Sequence, residues 1–424
     1  MKSGLHFLVA AKRCEIDELE QLARTSALVN VTGRLVHGLQ RERGLSNLVL
    51  GSQGTRFTEA RAAQIVECLQ IETELRLCLD CMDTNAVHAD NGARLFSRIA
   101  YVLHGLDALP ALRERVDCLA WTVRQSTEAY IRLINGLLTV VFEAADSATD
   151  PEISRLLVAL FNFMQGKEFA GQERAAGSAL FAAGRADAAE QQRLLHLIES
   201  QERCLQVFQE FATSSVALLW SKSQDSATLA ELERLRRILC TAGHSANLDA
   251  TLSESWFGAC SRRIDGMKAV EEGLAKELME VCQHKIDAAQ AELATYSALS
   301  DADPPVESNL SFFETQAPAP GVASAGLGIP PQGFGLHLER SILELVQEQA
   351  HRLQSMGDEL DTVRASLNER KVIERAKGLL MAHRHLSEAE AHKTMRQMAM
   401  NQNRRLIEVA DAVLAMAEVL PPPR

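Results

Sequence analysis

The last ninety residues of this chain contain no aromatic ring, since nothing after Phe334 is Phe, Tyr or Trp. Single-stranded bases commonly stack on such rings. A nucleic acid recognised by this end therefore has to be read through Arg planes, His rings or apolar side chains. Proline is equally uneven: residues 152–303 have none, and nine of the eleven prolines lie at 304–331 and 421–423. Proline breaks helix interiors, so the proline-free span has room for very long helices. There is no run of about 18 uninterrupted apolar residues. The N-terminus MKSGLHFLVAAKRCEIDELE lacks a signal-peptide cleavage pattern, so the expectation is a soluble, cytoplasmic protein with no membrane partner. The nine cysteines are odd in number and lack framework spacing, which reads as reduced thiols in a cytosolic protein. Cys78 and Cys81 form a CxxC with no second pair nearby and are assigned to helix packing rather than to zinc. Walker loop, dinucleotide fingerprint, HExxH, GxSxG and kinase motifs are all missing, so no enzyme is expected: no catalytic residue, no metal and no cofactor.

What remains is rich in Ala and Leu, 46% apolar over 424 residues, and long enough for two or three all-α domains. Asp150-Pro151-Glu152 fits an N-cap followed by proline at the first helical position. Residues 301–333 have no Lys or Arg and are rich in Pro, Gly, Ala and Ser, the composition of a flexible linker. After it, Ile342, Val346, Gln349, Leu353, Met356, Leu360, Val363 and Leu367 alternate at spacings of four and three. This seam predicts a coiled-coil-like connecting helix over 334–368 and a homodimer, or else a helix packed on the preceding domain.

The end of the chain reads as a three-helix module. Ile373, Ala376, Leu379 and Leu380 share one face, with Gly378 placed for close approach of another backbone. Ser387 and Glu390 have capping-box spacing, Gln402-Asn403 breaks the pattern, and Leu406, Val409, Ala410 and Val413 form a further stripe. Residues 369–405 carry nine Lys or Arg against four acids, a local excess of five positive charges in a chain of net charge −12. Distant acids cannot mask such a patch beyond roughly 10 Å in physiological salt. The excess suits phosphate contacts, although charge runs by themselves are usually solvated helix faces.

Val372-Ile373-Glu374-Arg375-Ala376-Lys377-Gly378-Leu379-Leu380-Met381, Leu386-Ser387-Glu388-Ala389-Glu390-Ala391, Met395-Arg396 with Ala399-Met400, and Arg405-Leu406 with Glu408-Val409-Ala410 together resemble the ANTAR domain, an RNA-binding module of bacterial antiterminators. The resemblance implies an output domain over 369–420 whose target is leader RNA with paired short-loop hairpins. Its basic residues Arg370, Lys371, Arg375, Lys377, Lys393, Arg396, Arg404 and Arg405 are the candidate RNA contacts. The alternative is that these helices dock an acidic protein partner.

Upstream, QRERGLSNLVLGS at 40–52 is echoed by GQERAAGSALFAAG at 171–184, Glu42-Arg43 aligning with Glu173-Arg174 at an offset of 131 residues. Two similar helical bundles are the expectation. With SWFGACSRRIDGMKAVEE at 255–272, these segments resemble the NIT domain, a nitrate and nitrite sensor of paired four-helix bundles, expected here over 1–300. NIT joined to ANTAR is the arrangement of nitrate-responsive antiterminators. The resemblance implies nitrate or nitrite as effector, antitermination of nitrate-assimilation genes as output, and transcribing RNA polymerase as an indirect partner. A guanidinium offers paired donors to a planar anion, so Arg residues from different helices can clamp nitrate. Arg43 is the first candidate, with Gly44 beside it allowing close helix approach. Arg263 is the second, with Arg262 as its rival in register, and Arg174 is either ligand or structural ion pair. Facing Arg residues repel until an anion neutralises them, which gives the ligand a means of drawing helices together.

Overall fold

In this computed structural model, residues 4–82, 92–243, 247–300, 338–384 and 386–417 are described. The linker expected at 301–333 lies outside them, as do residues 334–337. The described residues form thirteen helices and no sheet. The first is α1 (Gly4–Gly51), followed by α2 (Thr58–Asp80), α3 (Gly92–Asp107), α4 (Leu109–Asp117) and α5 (Val123–Ser147). Next come α6 (Pro151–Ala183), α7 (Ala188–Phe211), α8 (Ser214–Ser223), α9 (Ser226–Thr241) and the 49-residue α10 (Leu252–Ser300). The C-terminal part is α11 (Leu338–Arg384), α12 (Glu388–Gln402) and α13 (Leu406–Ala417).

Local chemistry sets the helix starts. Asp150 accepts hydrogen bonds from the Glu152 and Ile153 amides at 3.0 Å, and Pro151 opens α6 where its missing N–H costs nothing. Thr122 with Gln125, and Ser387 with Glu390, form complete capping boxes. Asn403 takes the left-handed conformation (φ 52°) that closes α12, a role the Asn side chain tolerates.

Two bundles stand on shared long helices. In the first, the C-terminal part of α1 packs with α2, α3 and α5 through residues such as Leu35, Leu39, Val102 and Ile134. In the second, the C-terminal part of α6 packs with α7, α9 and the start of α10 around Phe181, Leu194, Leu235 and Trp256. Gly177 of the echo motif is required there, because a Cβ at that position would overlap the Trp256 ring. The other portions of α1, α6 and α10 continue the first core.

α11 runs unbroken from the connecting segment into the output module. Val363 and Leu367 are buried in the sensor's own core, while Leu353 is exposed. The lower end of the heptad seam is thus filled by the sensor rather than by a second copy. Ala376, Leu380, Ala391, Met395, Val409, Ala410 and Val413 then form the small three-helix core. Gly378 differs from its expected role. Nothing lies within 4 Å of a Cβ built on Gly378, so that glycine does not admit a neighbouring backbone.

Candidate functional site

Each Glu-Arg motif of the repeat does two different things. Glu42 turns into its own bundle, accepting hydrogen bonds from Arg113 Nε at 2.8 Å, Arg113 Nη2 at 2.9 Å and the Tyr130 hydroxyl at 2.7 Å. Glu173 does the same in the second bundle, accepting from Arg236 Nε at 2.6 Å, Arg236 Nη2 at 2.7 Å and Gln201 Nε2 at 2.5 Å. These bidentate pairs join the helices of each bundle and offset part of the cost of burying their charges.

The arginines that follow, Arg43 and Arg174, face the seam between α1 and α6, each against the other helix's glycine. Arg43 Nη2 lies 2.9 Å from the Cβ position of Gly171, and Arg174 Nη2 lies 3.7 Å from that of Gly44. A Cβ on Gly44 would meet only the Arg174 side chain, at ordinary contact distance, so the tight approach in this seam lies at Gly171. Glu168 accepts from Arg43 Nη1 at 2.5 Å and Nη2 at 3.2 Å. Arg174 is half-buried, donates from Nη1 to Ser261 Oγ at 3.0 Å, and lies 4.9 Å over the Phe257 ring. No carboxylate among the described residues hydrogen-bonds or ion-pairs with it. Its pKa is pushed below the ordinary guanidinium range by burial first and then by the charge of Arg43. A half-buried cation in this setting is short of one anion.

The other arginines lie elsewhere. Arg263 is half-buried and donates to Gln201 Oε1 at 2.8 Å, with Glu173 at 4.0 Å, so it joins the Glu173–Arg236 cluster. Arg262 faces Glu231 at 2.8 Å on the partly exposed side of α10. Sequence reasoning missed Glu168, Arg113, Arg236 and Ser261. Gln40 and Gln172, which donate to Glu168 at 2.9 Å, sit inside the two motifs and were the available signal.

Four of the eight basic residues expected to contact RNA meet the N-terminal helices. Arg370 donates to Asn162 Oδ1 at 3.1 Å and lies 4.7 Å over the Phe161 ring. Lys371 donates to Asp146 Oδ1 at 2.5 Å, Lys393 donates to Gln192 Oε1 at 3.0 Å, and Arg396 pairs with Glu199. Lys377 is buried within the module between Glu374 and Glu388, at 2.8 Å from each. Arg375, Arg404 and Arg405 are exposed, Arg375 lining a cleft of about 1050 Å³ between module and sensor.

A histidine pair lies in this contact. The rings of His196 on α7 and His392 on α12 have centroids 5.3 Å apart, both buried, and His196 Nδ1 and His392 Nε2 have no hydrogen-bond partner among the described residues. Arg203, His196, Lys377 and Arg396 surround His392, and burial followed by these charges lowers its pKa to about 3. His196 is lowered as well, by burial first, against the opposing charges of Glu388 and Glu199. Separation of α12 from α7 returns both rings to an ordinary pKa of about 6.5. The docked form binds fewer protons, so docking is fully supported above about pH 6.5 and weakens as pH falls below it. Separation of α12 from α7 should therefore grow between pH 7.5 and 5.5, by up to about tenfold per pH unit for each ring below its free pKa. Fluorescence transfer between labels on α7 and α12 would read this, and the profile should flatten in His392→Gln.

Residues 34–279 match the family described as nitrate and nitrite sensing, NIT, and residues 361–414 match the ANTAR domain. The chain is 34% identical over 407 residues to the nitrate regulatory protein of Klebsiella oxytoca, covering 96% of this chain and 93% of that one. The solved structure of the NasR transcription antiterminator is similar with a TM-score of 0.59 and 31% identity, over 98% of this chain and 99% of that one.

Proposed function

Because this chain belongs to the NIT family of nitrate and nitrite sensors and carries an ANTAR domain, we infer that it is a nitrate-responsive antitermination regulator that binds paired hairpins in leader RNA and relieves termination of nitrate-assimilation genes. Nitrate is held between Arg43 and Arg174. The module is docked on the sensor without ligand and released when ligand binds. One observation carries this reading: α6 holds both ends of the path. Phe161 and Asn162 lie under Arg370, and Glu168 and Arg174 lie further along the same helix. From residue 162 to 168 is about 9 Å along a helix axis, so a shift or roll of α6 at the anion site reaches the docking face directly.

The energies are compatible. Exposed contacts such as Arg396–Glu199 contribute about 0.2–1 kcal/mol each, so docking rests on a few partly buried contacts. A full reversal of a 1:99 population needs about 5.5 kcal/mol of differential nitrate binding. The source of that difference is the charge-assisted bonds to nitrate from two guanidiniums, about 1.5–3 kcal/mol each, less what Arg43 gives up in leaving Glu168.

RNA as the target is tested by salt. Hairpin binding should weaken steeply as salt rises, and Arg405→Ala should lower the slope of log affinity against log salt by about one. Binding that ignores salt, or binding only to an acidic protein, would overturn it.

A further inference from the structure

The fork of Arg43 is already filled. Its Nη1 and Nη2 both donate to Glu168, whose carboxylate is fully buried and also accepts from Gln40 and Gln172. Behind the fork lies α6 itself, with the Cβ position of Gly171 2.9 Å from Nη2. An anion that uses this fork has to take the place of the carboxylate. Nitrate is suited to that exchange, since it is planar and presents two oxygens to paired donors as a carboxylate does.

We propose that Glu168 is a built-in competing anion: it occupies Arg43 in the ligand-free arrangement, sets the nitrate affinity of the site, and is displaced when nitrate bridges Arg43 and Arg174. This rests on the reading of Arg43 and Arg174 as the nitrate site. Arg43 is paired with Glu168 while Arg174 has no carboxylate at hydrogen-bond or ion-pair distance among the described residues, so one added anion matches the unpaired cation. Competition gives the site a threshold. Nitrate at low concentration loses to a carboxylate held by four hydrogen bonds, and nitrate at high concentration wins. It also supplies the movement. Glu168 leaving Arg43 gives up a bond between α1 and α6, while nitrate makes a new one from Arg174, six residues along α6.

The test is nitrate titration calorimetry on the full chain, comparing wild type with Glu168→Gln, Gln172→Ala and Arg174→Ala, each checked for helical content. Removing the competing charge at hydrogen-bond distance should make Glu168→Gln bind nitrate about tenfold tighter or more. Removing one donor that holds the carboxylate in place should make Gln172→Ala tighter by a few-fold. Folded Glu168→Gln with equal or weaker affinity overturns the proposal, because the carboxylate would then be positioning Arg43 rather than competing for it. Should Glu168→Gln fail to fold, equal or weaker affinity in Gln172→Ala overturns it instead. Arg174→Ala separates the two claims. Wild-type affinity in that variant overturns the site reading itself, whereas lost affinity there with no gain in Glu168→Gln overturns only the role of Glu168.

Discussion

Arg174→Ala is expected to weaken the nitrate response by about 10- to 100-fold while leaving a folded chain that still binds RNA. The size follows from losing one charge-assisted hydrogen bond to the anion, at about 1.5–3 kcal/mol. Folding should survive because Arg174 has no carboxylate to abandon. It donates to Ser261 and lies on Phe257, and the backbone carbonyl that accepts from Trp256 Nε1 at 3.0 Å is unchanged by the substitution. Arg43→Ala is a poorer test, since it strands a fully buried Glu168, and breaking a buried pair from one side costs about 3–5 kcal/mol. The readout is the nitrate concentration that gives half-maximal hairpin binding. A value equal to wild type would exclude Arg174 from the site.

The second large effect is release without ligand. Asp146→Asn combined with Glu199→Gln should raise nitrate-free RNA affinity by about 10- to 100-fold and shrink nitrate stimulation in proportion. Asp146 is buried, holds Lys371 at 2.5 Å and also meets Arg94 at 2.9 Å. Neutralising it removes the buried charge that holds Lys371, while Arg94 keeps Glu143 nearby at 3.8 Å. Glu199 supplies the second contact, to Arg396. Neither acid belongs to the RNA-facing module, so a gain in binding would report docking alone. Unchanged nitrate-free affinity, with the chain folded, would mean that these contacts do not restrain the module.

Features governed by local rules were readable in the sequence. The caps at Asp150 and Ser387 depend on residues two or three positions apart, and each forms as its spacing implied. The repeat placed Glu42-Arg43 and Glu173-Arg174 at equivalent points of two bundles because the same local surroundings recur. Their partners were hidden. Arg113 and Arg236 reach these glutamates across 71 and 63 residues, and Glu168 meets Arg43 across 125, separations over which no periodicity carries information. For the same reason the structure brings Arg174 to Arg43 and leaves Arg263 on Glu173. A heptad stripe states that a helix has an apolar seam but not what fills it, and Val363 and Leu367 turn out to face the sensor. Likewise the positive charge of residues 369–405 was plain, whereas its engagement by Asp146, Asn162, Gln192 and Glu199 required the fold.

The most direct test of the account is the affinity of the full chain for a leader RNA with two short-loop hairpins, at fixed ionic strength, in millimolar nitrate and in chloride. Nitrate should tighten binding, and Arg174→Ala should remove the difference. Equal affinity in the two salts would contradict the claim that nitrate at the α1–α6 seam frees the RNA-binding face.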